Sequence, residues 1–146
     1  MTETTTKTNY PGPLPLAEAK TKFKLSPLTD EAFHREGPRA NTEYRDLGLS
    51  EATGGKIGAK HIRVLRPFEK ETGWHWHDMT GHFVYVLKGW LKFRFEGVAD
   101  DVVVHAGSCL SQPAGVPHNV VGQSDDLELI EINLPADYAT VDLARG

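Results

Sequence analysis

Cysteine is nearly absent from this 146-residue chain: Cys109 stands alone, so no internal disulfide framework can form and a thiolate zinc knot has no ligands. Basic runs are missing too. The 16 Lys and Arg residues are scattered among 20 Asp and Glu, for a formal net charge of -4. No cationic stripe of the kind that follows a nucleic-acid backbone is present, which argues against nucleic acid as a partner. No apolar run approaches the roughly 20 residues that cross a bilayer. The opening MTETTTKTNYPGPLPL has neither the cationic start nor the apolar stretch of a secretory signal. These absences predict a soluble chain in a reducing cytoplasm, with no membrane partner. A convincing long helix is also lacking, and the length suits one domain with a real core.

What is present is a series of short β runs. Residues 1–22 are rich in Thr, Pro and Lys without an apolar period and read as a flexible arm, or a strap docked through Tyr10 and Leu14. Residues 23–57 read as an N-terminal extension packing on the body of the domain, with Thr29 or Asp30 able to cap a short helix over 29–33. From residue 58 to 146 the text changes. KHIRVLRPF at 60–68 partly alternates, and HFVYVLK at 82–88 and WLKFRFE at 90–96 are joined through Lys88 and Gly89, which reads as a hairpin. DVVVHAG, SCLSQPAG, HNVVG and LELIEINLP complete a pattern of short strands separated by Gly, Pro and Asp turns. Such a pattern predicts an all-β antiparallel sandwich or barrel.

The chemistry concentrates in histidine. His75, His77 and His82 lie within eight residues, and His118 follows the rigid run Pro113-Ala114-Gly115-Val116-Pro117. Side chains at i and i+2 of a strand share a face, so His75 and His77 converge while Trp74 and Trp76 point away. His82 opens the next strand and is expected to meet the first pair across the sheet, and His118 must arrive from another strand. An H-x-H pair alone is weak evidence for a metal in a chain with 7 histidines. The conjunction with a third and fourth histidine and with two sets of glycines is far more specific.

That conjunction resembles the cupin family, whose motifs are G-x5-H-x-H-x(3,4)-E-x6-G and G-x5-P-x-G-x2-H-x3-N. The first is matched by His75, His77 and Gly89, the second by Gly107, Pro113, Gly115 and His118, with 17 residues between Gly89 and Gly107. The resemblance covers about residues 58–134 and implies a single jelly-roll β-barrel, often dimeric, holding a divalent metal. Glu69 and Gly122 depart from the motif at turn positions. His82 departs from it chemically, standing where the family usually has a glutamate ligand. The resemblance therefore implies four histidine ligands, His75, His77, His82 and His118, and a metal whose charge no protein carboxylate neutralises. Imidazole suits Fe, Ni, Cu, Zn and Co and does not exclude Mn; iron(II) is the leading expectation.

The remaining candidates have plainer readings. Val84, Phe93, Phe95 and Val120 are candidate walls of a substrate pocket, with ordinary core as the alternative for the two phenylalanines. His34, His61 and His105 read as surface or capping residues, Cys109 as a small core residue, and Trp74, Trp76 and Trp90 as outer-face packing. On the last clear strand Glu128 and Glu131 have opposite parity, so both cannot face one pocket without a bulge; Glu128 reads as the solvated strand start and Glu131 as outward-facing. The leading functional expectation is an iron(II)-dependent dioxygenase cleaving a small enolisable, diketone-like or phenolic substrate. The alternatives are a non-catalytic metal or small-molecule binding protein or sensor, and a Lewis-acid isomerase or lyase. A homodimer is expected from the family and the arm.

Overall fold

A computed structural model describes residues 21–35 and 41–145. The arm over 1–20, with Tyr10 and Leu14, therefore lies outside the described residues. Eleven strands follow in order: β1 (Phe33–His34), β2 (Thr42–Asp46), β3 (Gly58–Val64), β4 (His75–Asp78), β5 (Gly81–Lys88), β6 (Trp90–Phe95), β7 (Val102–His105), β8 (Cys109–Gln112), β9 (His118–Gln123), β10 (Glu128–Leu134) and β11 (Ala139–Asp142). A short helix, α1 (Leu49–Thr53), separates β2 from β3. The expected helix over 29–33 is a single 3-10 turn, Asp30–Ala32, without a side-chain cap from Thr29. No helix among the described residues is long and apolar enough to cross a membrane.

Two antiparallel sheets face each other. The larger runs β1-β2-β3-β10-β5-β8 and the smaller β11-β4-β9-β6-β7. This is the jelly-roll arrangement that the short, turn-bounded strands require, because each sheet has one apolar face and must bury it against another. Alternation decides which side chains go in. Leu91 and Phe93 of β6, Val84 and Val86 of β5, Val104 of β7, Val120 of β9 and Leu129 of β10 form one buried cluster with Leu127. Each such side chain contributes about 1.5–3 kcal/mol on leaving water.

The expected hairpin over 82–96 does not exist. β5 pairs with β10 and β8 in the larger sheet, whereas β6 pairs with β7 and β9 in the smaller one. Gly89 alone separates the strands, too short for the two-residue turn that a paired hairpin needs, so the chain turns a corner between sheets. Its φ is 77°, and a Cβ there would lie 2.1 Å from Ser124 Oγ and 2.6 Å from Asp126 Oδ1. Only glycine fits this corner.

The segment before residue 58 contributes to the larger sheet. β2 is a full strand of the larger sheet, in register with β3 from Thr42↔Val64 to Asp46↔Lys60. Upstream, Ser26 Oγ donates to Leu47 O at 3.0 Å, and Arg45 Nη1 donates to Ser26 O at 3.1 Å. His61 is buried on the outer side of this sheet, not at the surface, between Arg45, whose Nη2 is 3.2 Å from its Nδ1, and Glu128 at 3.6 Å. Burial and the Arg45 charge lower its pKa. Phe33 packs edge-on against His61 and lies under the Arg63 guanidinium, which pairs with Glu43. Cys109 is exposed rather than in the core, because it sits on the outer face of β8, an edge strand. His34 and His105 are exposed, as expected.

Candidate metal centre

β4 places His75 and His77 on the inner face of the smaller sheet, and β9 brings His118 beside them, directly opposite His75 in the register. The Pro113–Pro117 run ends one residue before β9 begins, so the turn delivers His118 at the strand's first position. One ring nitrogen from each of His75, His77 and His118 lies within 4.8 Å of the other two. Ring centroids are 4.4 Å apart for His75 and His118, 5.0 Å for His75 and His77, and 5.1 Å for His77 and His118.

The second nitrogen of each ring is already engaged. His75 Nδ1 donates to Gly73 O at 2.7 Å and His118 Nδ1 donates to Val116 O at 3.0 Å. Carbonyl oxygens only accept, so the proton is on Nδ1 in both rings and the lone pair is on Nε2. His77 Nδ1 lies 2.8 Å from Thr140 Oγ1, a hydroxyl that can accept in the same way. Partners of this kind fix the tautomer and the ring orientation of metal-binding histidines. Burial and then the neighbouring His82, His118 and His75 push His77 down to about 3, so its imidazole is neutral at pH 7. The donor set thus fits a divalent transition metal: three imidazoles, two of them with the Nε2 lone pair fixed by a carbonyl partner at Nδ1, on two hydrogen-bonded strands.

Thr140 has a testable part in this. Thr140→Val keeps the shape and removes the acceptor, and is expected to weaken metal affinity by about 10- to 100-fold, read by competition with a chromophoric chelator.

His82 stands beside these three rather than among them. β4 and β5 belong to different sheets, so His82 does not meet the pair across neighbouring strands; it faces them across the barrel, with its ring centroid 5.2 Å from His77 and 6.3 Å from His118. Its Nε2 lies 3.2 Å from Glu131 Oε2. Glu131 is therefore inside, contrary to the outward placement expected from the sequence. It shares its face with Leu127, Leu129 and Asn133, all almost fully buried, so this side of β10 is the core side. Glu128, of opposite parity, lies near His61 on the other face. The parity was legible in the sequence, but which face is inside was not.

Gln112 and Asn133 flank His82 in register on β8 and β10. The Gln112 amide nitrogen is 3.4 Å from His82 Nε2, and its Oε1 is buried without a partner. Sequence reasoning missed Glu131, Gln112 and Tyr138. The Tyr138 ring packs edge-on against His77 at 5.2 Å, and burial, then the Glu131 charge, raise its phenol pKa, so it stays a hydrogen-bond donor.

These groups surround a cavity of about 390 Å³. Its walls include Val84, Phe93 and Val120, together with Ile62, Leu91 and Leu129. Phe95 is not among them. It lies deeper, stacked on Phe93 at 5.3 Å and 5.6 Å from the His118 ring, and supports the metal face from behind.

The family model described as "Cupin domain" matches residues 61–133, half of the chain. The chain belongs to the cupin family. Among curated proteins none matches this cupin by sequence. Solved structures share its fold. The polyketide cyclase RemF from Streptomyces resistomycificus is 18% identical with a TM-score of 0.64, the alignment covering 84% of this chain and 88% of that one. A predicted oxalate decarboxylase from Thermotoga maritima is 24% identical (TM-score 0.53; 64% and 80% covered), and KdgF from Halomonas sp. is 18% identical (TM-score 0.56; 74% and 92% covered). At such identities the likeness establishes the architecture and leaves the chemistry to the site itself.

Proposed function

We propose that this cupin is a mononuclear metal-dependent enzyme, an iron(II) dioxygenase that cleaves a small enolisable substrate, diketone-like or phenolic. The observation that carries the reading is the three-imidazole face of His75, His77 and His118, with every Nδ1 engaged, opening on a cavity between the sheets. Iron(II) bound there supplies Lewis acidity and redox access to dioxygen. The chain supplies the rest. His75, His77 and His118, which line one side of the cavity, would hold the ion. Ile62, Val84, Leu91 and Phe93 exclude water from the substrate's apolar part. Of the two carboxylates that line the cavity, Glu131 on the wall facing the three histidines is the one suited to take the proton lost when the substrate's carbon acid ionises, with His82 Nε2 beside its Oε2.

An oxygen electrode with iron-loaded protein and a panel of β-diketones and flavonols tests this. Oxygen uptake stoichiometric with substrate loss supports the dioxygenase. Substrate conversion without oxygen uptake would instead establish a Lewis-acid isomerase, lyase or cyclase, a reading that the Glu131, His82 and Tyr138 group favours because oxygen chemistry does not require it. A homodimer in the cytoplasm accords with the same reading: Tyr85 and Leu87 are exposed side by side on the outer face of β5, with the thiol-bearing Cys109 opposite Tyr85.

A further inference from the structure

The walls of the cavity are asymmetric in charge. Among the described residues that line it, Glu131 and Asp142 are acidic and none is Lys or Arg. Arg45 and Arg63 pack on Phe33 outside the larger sheet, and Lys60, opposite Glu131 in register and over the Tyr44 ring, is not among the residues that line the cavity. The polar wall that faces the histidine triad, His82 and Gln112 with Glu131, offers amide and imidazole rather than guanidinium. Sites that take carboxylates or phosphates as substrates commonly use Arg or Lys for them, and among the described residues none lines this cavity. The opposite wall is apolar, built from Ile62, Val84, Leu91, Phe93, Val120 and Leu129. A cavity of roughly 150 Å³ holds a benzene ring, so about 390 Å³ accommodates two to three rings.

Resting on the metal reading above, we infer that the cavity selects a ligand that is neutral in solution, with an aromatic or otherwise apolar body of no more than two to three rings and its chelating oxygens at one end. Glu131 is the residue that rejects small dianions. A dianion meets the Glu131 carboxylate at short range in a low-dielectric enclosure and leaves the apolar wall unfilled. A neutral diketone gives up one proton on chelation and places its rings against Phe93 and Leu129.

The test uses cobalt(II)-loaded full-length protein, whose d–d absorption reports ligand entry, titrated with benzoylacetone and with oxalate. Each affinity is divided by that of the same ligand for free cobalt(II) in the same buffer, which isolates the protein's contribution. The expected ratio favours benzoylacetone at least tenfold. Glu131→Gln is expected to strengthen oxalate binding at least fivefold and benzoylacetone by less. A wild-type ratio at or below one overturns the inference, and this comparison needs no variant to fold. Glu131→Gln that is folded and leaves both affinities unchanged overturns the role of Glu131. If neither ligand perturbs the spectrum while one equivalent of cobalt stays bound, the selectivity inference fails and the metal centre stands. Protein that retains no cobalt overturns both.

Discussion

Alanine in place of His77 is expected to lower affinity for a divalent transition metal by at least about a hundredfold, beyond the upper end of what losing a supporting hydrogen bond does. His77 is central to the set: its ring touches those of His75, His118 and His82, and it alone bridges the smaller sheet's β4 to the polar wall opposite. Removing it takes away one of three nitrogens and leaves Thr140 and Tyr138 without the ring they orient. His82→Ala separates the two arrangements the residues allow. With Nε2 held by Glu131, its loss is expected to cost less than about tenfold in metal affinity. A His82→Ala variant that loses metal as completely as His77→Ala would return His82 to the ligand set, as the cupin motif position implies. Elemental analysis after exhaustive dialysis, followed by chelator competition, measures both. Even in the three-nitrogen arrangement the ion is not remote from negative charge, because Glu131 enters the cavity from β10. The all-nitrogen, uncompensated centre expected from the motif is thus moderated by a carboxylate that the motif does not contain.

The second large effect concerns stability. Phe95→Ala is expected to destabilise the metal-free protein by about 3–5 kcal/mol, the range for emptying a phenylalanine site in a packed core. Phe95 is 4% exposed, lies against Phe93, and is paired in register with His118. For a domain of this size the melting temperature is expected to fall by on the order of 10 °C. The metal-free form is the appropriate state, since a ligand that binds only the folded chain masks part of the loss. Phe95→Leu retains most of the volume and is expected to cost less than half as much. If Phe95→Ala melts within 2–3 °C of wild type, Phe95 does not support the core in the way its burial indicates.

Much of the site was legible before the fold was known, for reasons that are local. Two-residue periodicity puts His75 and His77 on one face whatever sheet they join, and the proline-bounded turn before His118 restricts where that ring can go. The same periodicity grouped Leu91, Phe93 and Phe95, and all three are buried. It also grouped Glu131 with Leu127, Leu129 and Asn133, yet Glu131 was read outward because parity names two faces without saying which is inside.

What sequence alone determined about this protein is the donor chemistry and the β class: four histidines, two glycine-punctuated motifs, strands too short for anything but a layered fold. Tertiary structure alone decided which donors meet. Gly89 sends β5 and β6 into different sheets, so His82 faces the other three from across the barrel and pairs with Glu131, a residue 49 positions away. Sheet membership is a property of long-range hydrogen bonding between strands, and a one-residue connection reads alike whether it closes a hairpin or turns a corner. For the same reason the absence of Lys and Arg from the cavity's described lining emerged only when nine strands from both sheets had placed side chains around it.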